Sequence, residues 1–289
     1  MKKILIQLDT DPKASTFDRV VAADAGVDEL MSYGGISPDN VEPLVHGAIF
    51  TRGPADLKNT AFFVGGSRVA DGEALLVRIQ TIFFGPLRCS VMMDSSGSNT
   101  TAAAAVLAAG RHTELHGTSA MVLGGTGPVG FRAAQLLAGQ GAGVRIVSRS
   151  LDRAARACDR IWECSPGVTI TPIEATDSQV IAAAGGDVQV LVAAGAAGVE
   201  MMSEAVRREL SQLQVAIDLN AVPPVGLPGI EATDKAVDRN GVMCYGAIGT
   251  GGLKMKIHRL AIQRLFEAND LILDTQALYS IGHELEQST

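Results

Sequence analysis

One stretch constrains this chain more than any other: Ala120-Met121-Val122-Leu123, then Gly124-Gly125-Thr126-Gly127, then Pro128-Val129-Gly130. It reads as a buried strand running into a glycine turn and on into a helix. Gly125, Gly127 and Gly130 carry the G-x-G-x-x-G spacing of a dinucleotide site. Gly125 is expected to allow the tight turn, Gly127 to let the backbone approach a pyrophosphate, and Gly130 to bring the helix close to the strand. Pro128 suits the first helical position, because its φ is preset and its missing N–H would lack an intrahelical partner anyway. The free amides and the dipole at such a helix start favour an anion. In a chain with 32 glycines the spacing alone is weak, so its context has to carry the reading.

That context is a regular alternation. Strands are expected at 120–123, 144–148, 168–171, 188–193, 215–219 and 242–246, with helices at 128–138, 152–162, 178–184 and 203–210. Near-continuous apolar strands separated by helices imply a parallel sheet covered on both faces. Six strands beginning at a glycine turn match an α/β, doubly wound Rossmann-type sheet. Residues 1–100 read as a smaller α/β unit, with strands at 3–8, 29–33, 48–52, 60–64 and 88–93 and helices at 15–25 and 72–83. There the polar run Asp94-Ser95-Ser96-Gly97-Ser98-Asn99-Thr100-Thr101 ends a strand and begins a helix over 101–110, so it belongs at the carboxyl end of a sheet, where open α/β folds bind ligands. The segment from 254 to 266, and on to 281, reads as helical and as folding back onto the first unit. The expected division is an N-terminal α/β substrate domain over 1–110, completed by 260–289, and a dinucleotide domain over 111–259, with a cleft between them.

A formal charge of −7 and only 4% aromatic residues argue against nucleic-acid binding. No apolar run approaches a membrane span, and the apolar stretch near the N-terminus is too short for a signal peptide. Cys89, Cys158, Cys164 and Cys244 show neither C-x-x-C spacing nor nearby histidine pairs. They read as free thiols of a reducing cytoplasm, and no metal site is expected.

The second strand of such a fold ends beside the adenosine ribose, where an acidic residue selects NAD. Here the tip reads Val147-Ser148-Arg149-Ser150, without a carboxylate. A guanidinium between two hydroxyls suits a 2′-phosphate, so NADP is favoured, with NAD at lower preference. The plainer alternative is a solvated turn in which Ser150 or Asp152 caps the next helix. Arg153 and Arg156 read as surface residues of that helix. Ala193-Ala194-Gly195-Ala196-Ala197-Gly198 is small enough to leave room for a ring such as nicotinamide, or is a tight turn packed on a helix. Asp218-Leu219-Asn220 and the prolines after it offer polar groups on a rigid turn. Ala194, Gly195 and Asn220 are therefore expected at the cofactor. The glycine-rich run from Gly246 to Lys254 reads either as a flexible loop before a helix or as a cleft wall.

With these segments in view, the chain resembles the bacterial NADP-dependent methylene-tetrahydromethanopterin dehydrogenases of one-carbon metabolism. The resemblance is carried by Gln7-Leu8-Asp9-Thr10-Asp11, Phe17-Asp18 and Phe63-Val64-Gly65-Gly66, by residues 38–41, 49–53, 84–86, 94–101 and 125–130, and by Gly251-Gly252-Leu253-Lys254-Met255-Lys256-Ile257-His258-Arg259. These span nearly the whole chain, in order. The family is similar in plan to the folate dehydrogenase–cyclohydrolases.

The resemblance implies oxidation of methylene-tetrahydromethanopterin to the methenyl form by direct hydride transfer to NADP⁺, in a homo-oligomer. The carbon between two nitrogens loses hydride while the nitrogens stabilise the cation, so no general base is needed and orientation and electrostatics suffice. It also implies that Thr126, Gly127, Pro128 and Val129 meet the cofactor phosphates and that Ser148 and Arg149 meet the 2′-phosphate, with Ser150 beside them. Lys254 is expected as the catalytic, orienting donor, and Lys256 as a substrate contact or else a surface charge. Asp94, Asn99 and Thr100 are expected to line the substrate wall, with helix capping the alternative. Asp18 is expected to bond pterin N–H groups, again with capping or a solvated role as the alternative. His258 reads as structural. Two other functions fit less fully: the same chemistry on methylene-tetrahydrofolate, and an NADPH-binding sensor without turnover, which would need no substrate wall.

Overall fold

The computed structural model describes residues 1–288. In chain order the elements are β1 (Ile4–Asp9), α1 (Thr16–Asp24), β2 (Glu29–Tyr33), α2 (Glu42–Ile49), β3 (Thr60–Gly65), α3 (Val69–Ile82), β4 (Ser90–Met93), α4 (Ser98–Gly110), β5 (Ser119–Leu123), α5 (Pro128–Gly139), β6 (Gly143–Ser148), α6 (Leu151–Cys164), β7 (Ile170–Glu174), α7 (Ser178–Ala183), β8 (Val190–Ala193), α8 (Glu204–Arg208), β9 (Val215–Asp218), β10 (Lys235–Arg239), β11 (Val242–Tyr245), α9 (Ala247–Arg264), β12 (Ile272–Leu273) and α10 (Thr275–Gln287). Two compact units result, one of Met1–Thr100 with the chain from Met255 on, the other of Thr101–Lys254. The divisions lie inside α4 and α9, where no loop or linker composition marks them.

The first unit is an all-parallel sheet in the order β12-β4-β3-β1-β2. Ile6 and Leu8 of β1, Phe62 and Val64 of β3 and Val91 and Met93 of β4 pack on one face against Val45 and Ile49 of α2 and Leu75 and Ile79 of α3. Residues 48–52 do not form the expected strand. Val41, Val45, Ala48 and Ile49 are all buried and recur at helical spacing, and a proline at the helix start presets its φ, so α2 forms instead. The expected C-terminal helix is broken by β12, whose Ile272 pairs with Val91 at the edge of the sheet.

The second unit is a seven-stranded sheet, β10-β11-β9-β8-β5-β6-β7, parallel except for β10. Strands β8 and β9 are wholly buried, which is why they read as unbroken apolar runs. On one face Met121, Leu123, Leu191, Ala193 and Ala216 pack against Ile181 of α7 and Val206 of α8. Helix α6 turns Ala154, Ala157, Cys158 and Ile161 inward at one-turn spacing. Strand β10 was not expected: its Lys-Ala-Val-Asp-Arg sequence lies largely exposed on the sheet edge and carries no apolar alternation. The glycine run after Gly246 is not a loop but the first turns of α9. A Cβ on Gly249 would collide with the Asp234 carbonyl, and one on Gly246 with the backbone at Glu231 and Ala232. Here glycine permits backbone to lie against helix, and that packing outweighs glycine's poor helix propensity.

Candidate active site: the dinucleotide groove and the ends of the first sheet

Within the second unit the strand order reverses between β5 and β8, the switch point at which an open α/β sheet leaves a crevice. Gly124 follows β5 and Ala194 follows β8. The turn's left-handed residue is Gly124, with φ +71°. A Cβ on Gly124 would also lie 2.8 Å from the Ala194 carbonyl oxygen. Gly125 is constrained differently, because a Cβ there would sit 2.9 Å from Cγ2 of Ile146. The turn closes as the Gly127 N–H donates to the Gly124 carbonyl at 2.9 Å, and Pro128 then begins α5. A Cβ on Gly130 would lie 2.9 Å from both the Gly124 carbonyl carbon and Cα of Gly125, so α5 leans directly on the turn. No side chain caps α5. Its first amides therefore face outward without an intrahelical partner, which fits a diphosphate.

A groove of about 500 Å³ opens above this turn. It is lined by Gly124, Thr126, Gly127 and Pro128 from the turn, Ser148, Arg149 and Ser150 after β6, and Ala194 and Gly195 after β8. The sequence-derived cofactor residues thus converge, with exceptions. Gly125, Val129 and Gly130 shape the turn without lining the groove. Asn220 is 6% exposed and bonds its own loop: Oδ1 accepts from the Val222 N–H at 2.9 Å and Nδ2 donates to the Pro224 carbonyl at 3.2 Å. Ser148 Oγ accepts from the Ser150 N–H at 3.3 Å, and Ser150 Oγ caps α6 by accepting from the Arg153 N–H at 3.4 Å.

Arg153 is exposed, as read from the sequence, and also lines the groove, in the first turn of α6 after the Ser150 cap. Its position three residues after the Ser150 cap, in the first turn of the helix that follows Arg149, was the available signal. The far wall comes from Thr176, Asp177 and Ser178, with Asp177 committed to capping α7 through the N–H groups of Gln179 and Val180.

In the first unit the strand order reverses between β1 and β3. Over Gly65, at the end of β3, lie two carboxylates: a Cβ on that glycine would be 3.1 Å from Oδ2 of Asp9 and 3.6 Å from Oδ2 of Asp18. Asp9 is buried and accepts from the N–H groups of Asp11 and Ser15, both at 2.9 Å. Ser15 caps α1 by accepting from the Asp18 N–H at 3.3 Å, and the half-buried Asp18 carboxylate lies over Gly65 at the sheet end.

Asp94, Asn99 and Thr100 are turned inward instead of lining a wall. Asp94 is 1% exposed; Oδ1 accepts from the Asn99 N–H at 2.8 Å and the Thr100 N–H at 3.1 Å, and Oδ2 from the Thr100 hydroxyl at 2.6 Å. Asn99 donates to the Met93 carbonyl at 2.6 Å and accepts from the Thr275 hydroxyl at 2.7 Å. The capping alternative is what these bonds describe. Asp94→Ala is expected to cost about 1–3 kcal/mol of stability, from a lost cap and a buried hydroxyl left unpaired, with NADP affinity unchanged. Urea denaturation checks this; a normal midpoint with a raised KM would return Asp94 to a substrate role.

Lys254 is half-buried and Lys256 exposed, both on α9. His258, farther along the same helix, is buried and stacks on Phe63 at 5.6 Å and 17°. Among the described residues no three of His, Cys, Asp and Glu are grouped to hold a metal, and no helix is long and apolar enough to cross a membrane. The cysteines are unpaired; burial pushes the Cys89 thiol up to about 12 and Cys158 to about 11, so both stay protonated at neutral pH.

A glycine-turn groove at the switch point of a Rossmann sheet, on a chain with a second α/β unit, defines a protein of the dinucleotide-binding class. Comparison with known proteins narrows the class. Residues 16–96 match the family model described as methylene-tetrahydromethanopterin dehydrogenase, N-terminal. The chain is 43% identical to the bifunctional protein MdtA of Methylorubrum extorquens over 288 residues, covering 98% of this chain and 99% of that protein. It is 29% identical to the NAD(P)-dependent methylenetetrahydromethanopterin dehydrogenase of the same organism, over 98% and 99% of the two chains. The fold is similar to quinate dehydrogenase from Corynebacterium glutamicum in complex with NAD, with TM-score 0.54, 12% identity and coverage of 98% and 99%. The chain belongs to the NAD(P)-dependent methylene-tetrahydromethanopterin dehydrogenase family.

Proposed function

We propose that the enzyme oxidises methylene-tetrahydromethanopterin to methenyl-tetrahydromethanopterin with NADP⁺ as the preferred acceptor. The observation that carries the cofactor preference is Arg149. It lines the groove at the tip of β6 beside Ser148 and Ser150, and among the described residues no carboxylate pairs with it. A guanidinium left unpaired between hydroxyls is suited to a 2′-phosphate. The amides at the start of α5 hold the diphosphate, and the small Ala194-Gly195 corner leaves space for the nicotinamide. Bound there, that ring supplies the hydride acceptor.

The chain's own work is then orientation, since the substrate nitrogens stabilise the product cation and no proton has to move. Asp18, at the end of the first sheet, offers acceptors for pterin N–H groups. Lys254 serves as the orienting donor, with Lys256 the secondary candidate. Lys254→Ala is expected to lower kcat about tenfold without moving the melting curve; an unchanged kcat and KM would place the orienting group elsewhere.

The deciding assay follows absorbance with methylene-tetrahydromethanopterin and methylene-tetrahydrofolate, each with NADP⁺ and NAD⁺. Fastest turnover is expected with the methanopterin and NADP⁺. No turnover with either methanopterin pair would overturn the substrate reading, and a higher kcat/KM with NAD⁺ the cofactor reading.

A further inference from the structure

Glu174 ends β7 in register with Ser148 on the neighbouring strand, so the two side chains leave the sheet on the same face. Its Oε1 accepts from the N–H of Leu151, the first residue of α6, at 3.3 Å. That amide directly follows Ser150 in the loop assigned above to the 2′-phosphate. Ala175 and Thr176, the next residues along the chain, line the groove. Glu174 is exposed, and among the described residues no lysine or arginine pairs with it. An unneutralised carboxylate therefore sits at the positive end of α6, on the amide that follows the Ser148–Ser150 loop. The charge of a 2′-phosphate would have to enter against it.

We propose that Glu174 is a specificity-determining residue that holds NADP selectivity down, opposing the 2′-phosphate by charge while leaving NAD binding untouched. This rests on the reading that Ser148, Arg149 and Ser150 hold that phosphate. The consequence is an enzyme whose preference for NADP is set by a balance. Arg149 and Arg153 attract the phosphate, Glu174 opposes it, and the net preference moves with ionic strength, because interactions between exposed charges are screened by salt. The residue is not an adenosine-ribose acceptor of the usual NAD-selecting kind. Such an acceptor stands at the tip of the strand that follows the glycine helix, and here that tip is occupied by Ser148 and Arg149.

The test is Glu174→Gln in the full-length protein. Glutamine keeps an oxygen for the Leu151 N–H and removes only the charge. Titration with NADP at low salt is expected to give a Kd about two- to fivefold lower than in the unmodified protein, with NAD affinity unchanged. Raising the salt to about 0.5 M is expected to erase most of the gain. Glu174→Ala should show the same gain in NADP affinity together with a lower melting temperature from the lost cap. An unchanged NADP affinity would overturn the proposal, as would an equal change for both cofactors or a loss of NAD affinity alone; the last would mark a direct ribose contact. Arg149→Ala, measured alongside, separates the two levels of the argument. If it weakens NADP selectively while Glu174→Gln does nothing, the role of Glu174 fails and the phosphate site stands. If it weakens both cofactors equally, the phosphate site fails and this proposal falls with it.

Discussion

Replacing Arg149 with alanine is expected to raise the NADP dissociation constant about 10- to 150-fold while NAD affinity stays within about twofold, since the lost charge-assisted bond is worth roughly 1.5–3 kcal/mol. The asymmetry follows from where the side chain stands. Arg149 follows the last residue of β6 and lines the groove, and under the proposed function it meets the 2′-phosphate while the Gly124–Gly127 turn meets the diphosphate common to both cofactors. It has no ion pair to lose among the described residues, so its removal exposes no orphaned carboxylate and should leave stability nearly unchanged. Ser148 and Ser150 spend hydroxyl acceptor capacity on the Ser150 and Arg153 N–H groups but keep their own protons to donate. Arg149→Lys should recover part of the affinity, because a point charge restores attraction without the forked geometry. Fluorescence titration of NADPH and NADH checks the contrast, and equal losses for the two cofactors would remove the 2′-phosphate assignment.

What the sequence made legible here is the part held together by repetition. Strands β5, β6, β8 and β9 were readable because they are largely buried and written mostly in Val, Ile, Leu and Ala, and the glycine turn because it must be followed by a helix that starts at once. Where a residue's neighbours come from elsewhere in the chain, the reading failed. Residues 48–52 carry apolar side chains that suit a strand as well as a helix, and only the burial of Val41, Val45 and Ile49 on one face decides between them. Gly249 looks like loop composition until Asp234 is seen lying against it. Strands β10 and β12 owe their existence to an edge to pair with, not to their own composition.

The candidate site divides in the same way. The backbone-built half, around Gly124 and Gly127, was visible in the residue types. The side-chain half was not. Asp94, Asn99 and Thr100 are the residue types of both a polar ligand wall and a helix cap, and only their bonds to one another, to Met93 and to Thr275 tell which. Arg153 was readable only in part: it is solvated, as an arginine on an amphipathic helix ordinarily is, and that it also lines the groove depends on how α6 leaves its cap.

Two glycines of the opening turn should separate folding from binding. Gly130→Ala is expected to lower stability by about 1–3 kcal/mol, because its methyl would press on the Gly124 carbonyl and Cα of Gly125, backbone atoms that cannot rotate away. In a melting curve of the dinucleotide unit that is a fall of roughly 2–4 °C for each kcal/mol. Cofactor affinity would fall too, since the turn and the first amides of α5 would shift together. Gly127→Ala is different. Its nearest neighbours would be the Gly124 carbonyl oxygen at 3.3 Å and the Ala194 carbonyl oxygen at 3.7 Å, and its φ of −83° suits alanine, so the fold should accommodate it with a small shift. The methyl would instead stand where backbone must approach the diphosphate. NADP and NAD should therefore both weaken, about 10- to 100-fold and by the same factor, since the lost approach to the diphosphate is common to the two. Shared loss at Gly127 and selective loss at Arg149 would together resolve the groove into a diphosphate end and a 2′-phosphate end. A Gly127→Ala enzyme with unaltered affinity for both cofactors would mean that the diphosphate does not cross this turn, and a Gly130→Ala protein that melts normally would mean that α5 does not lean on it.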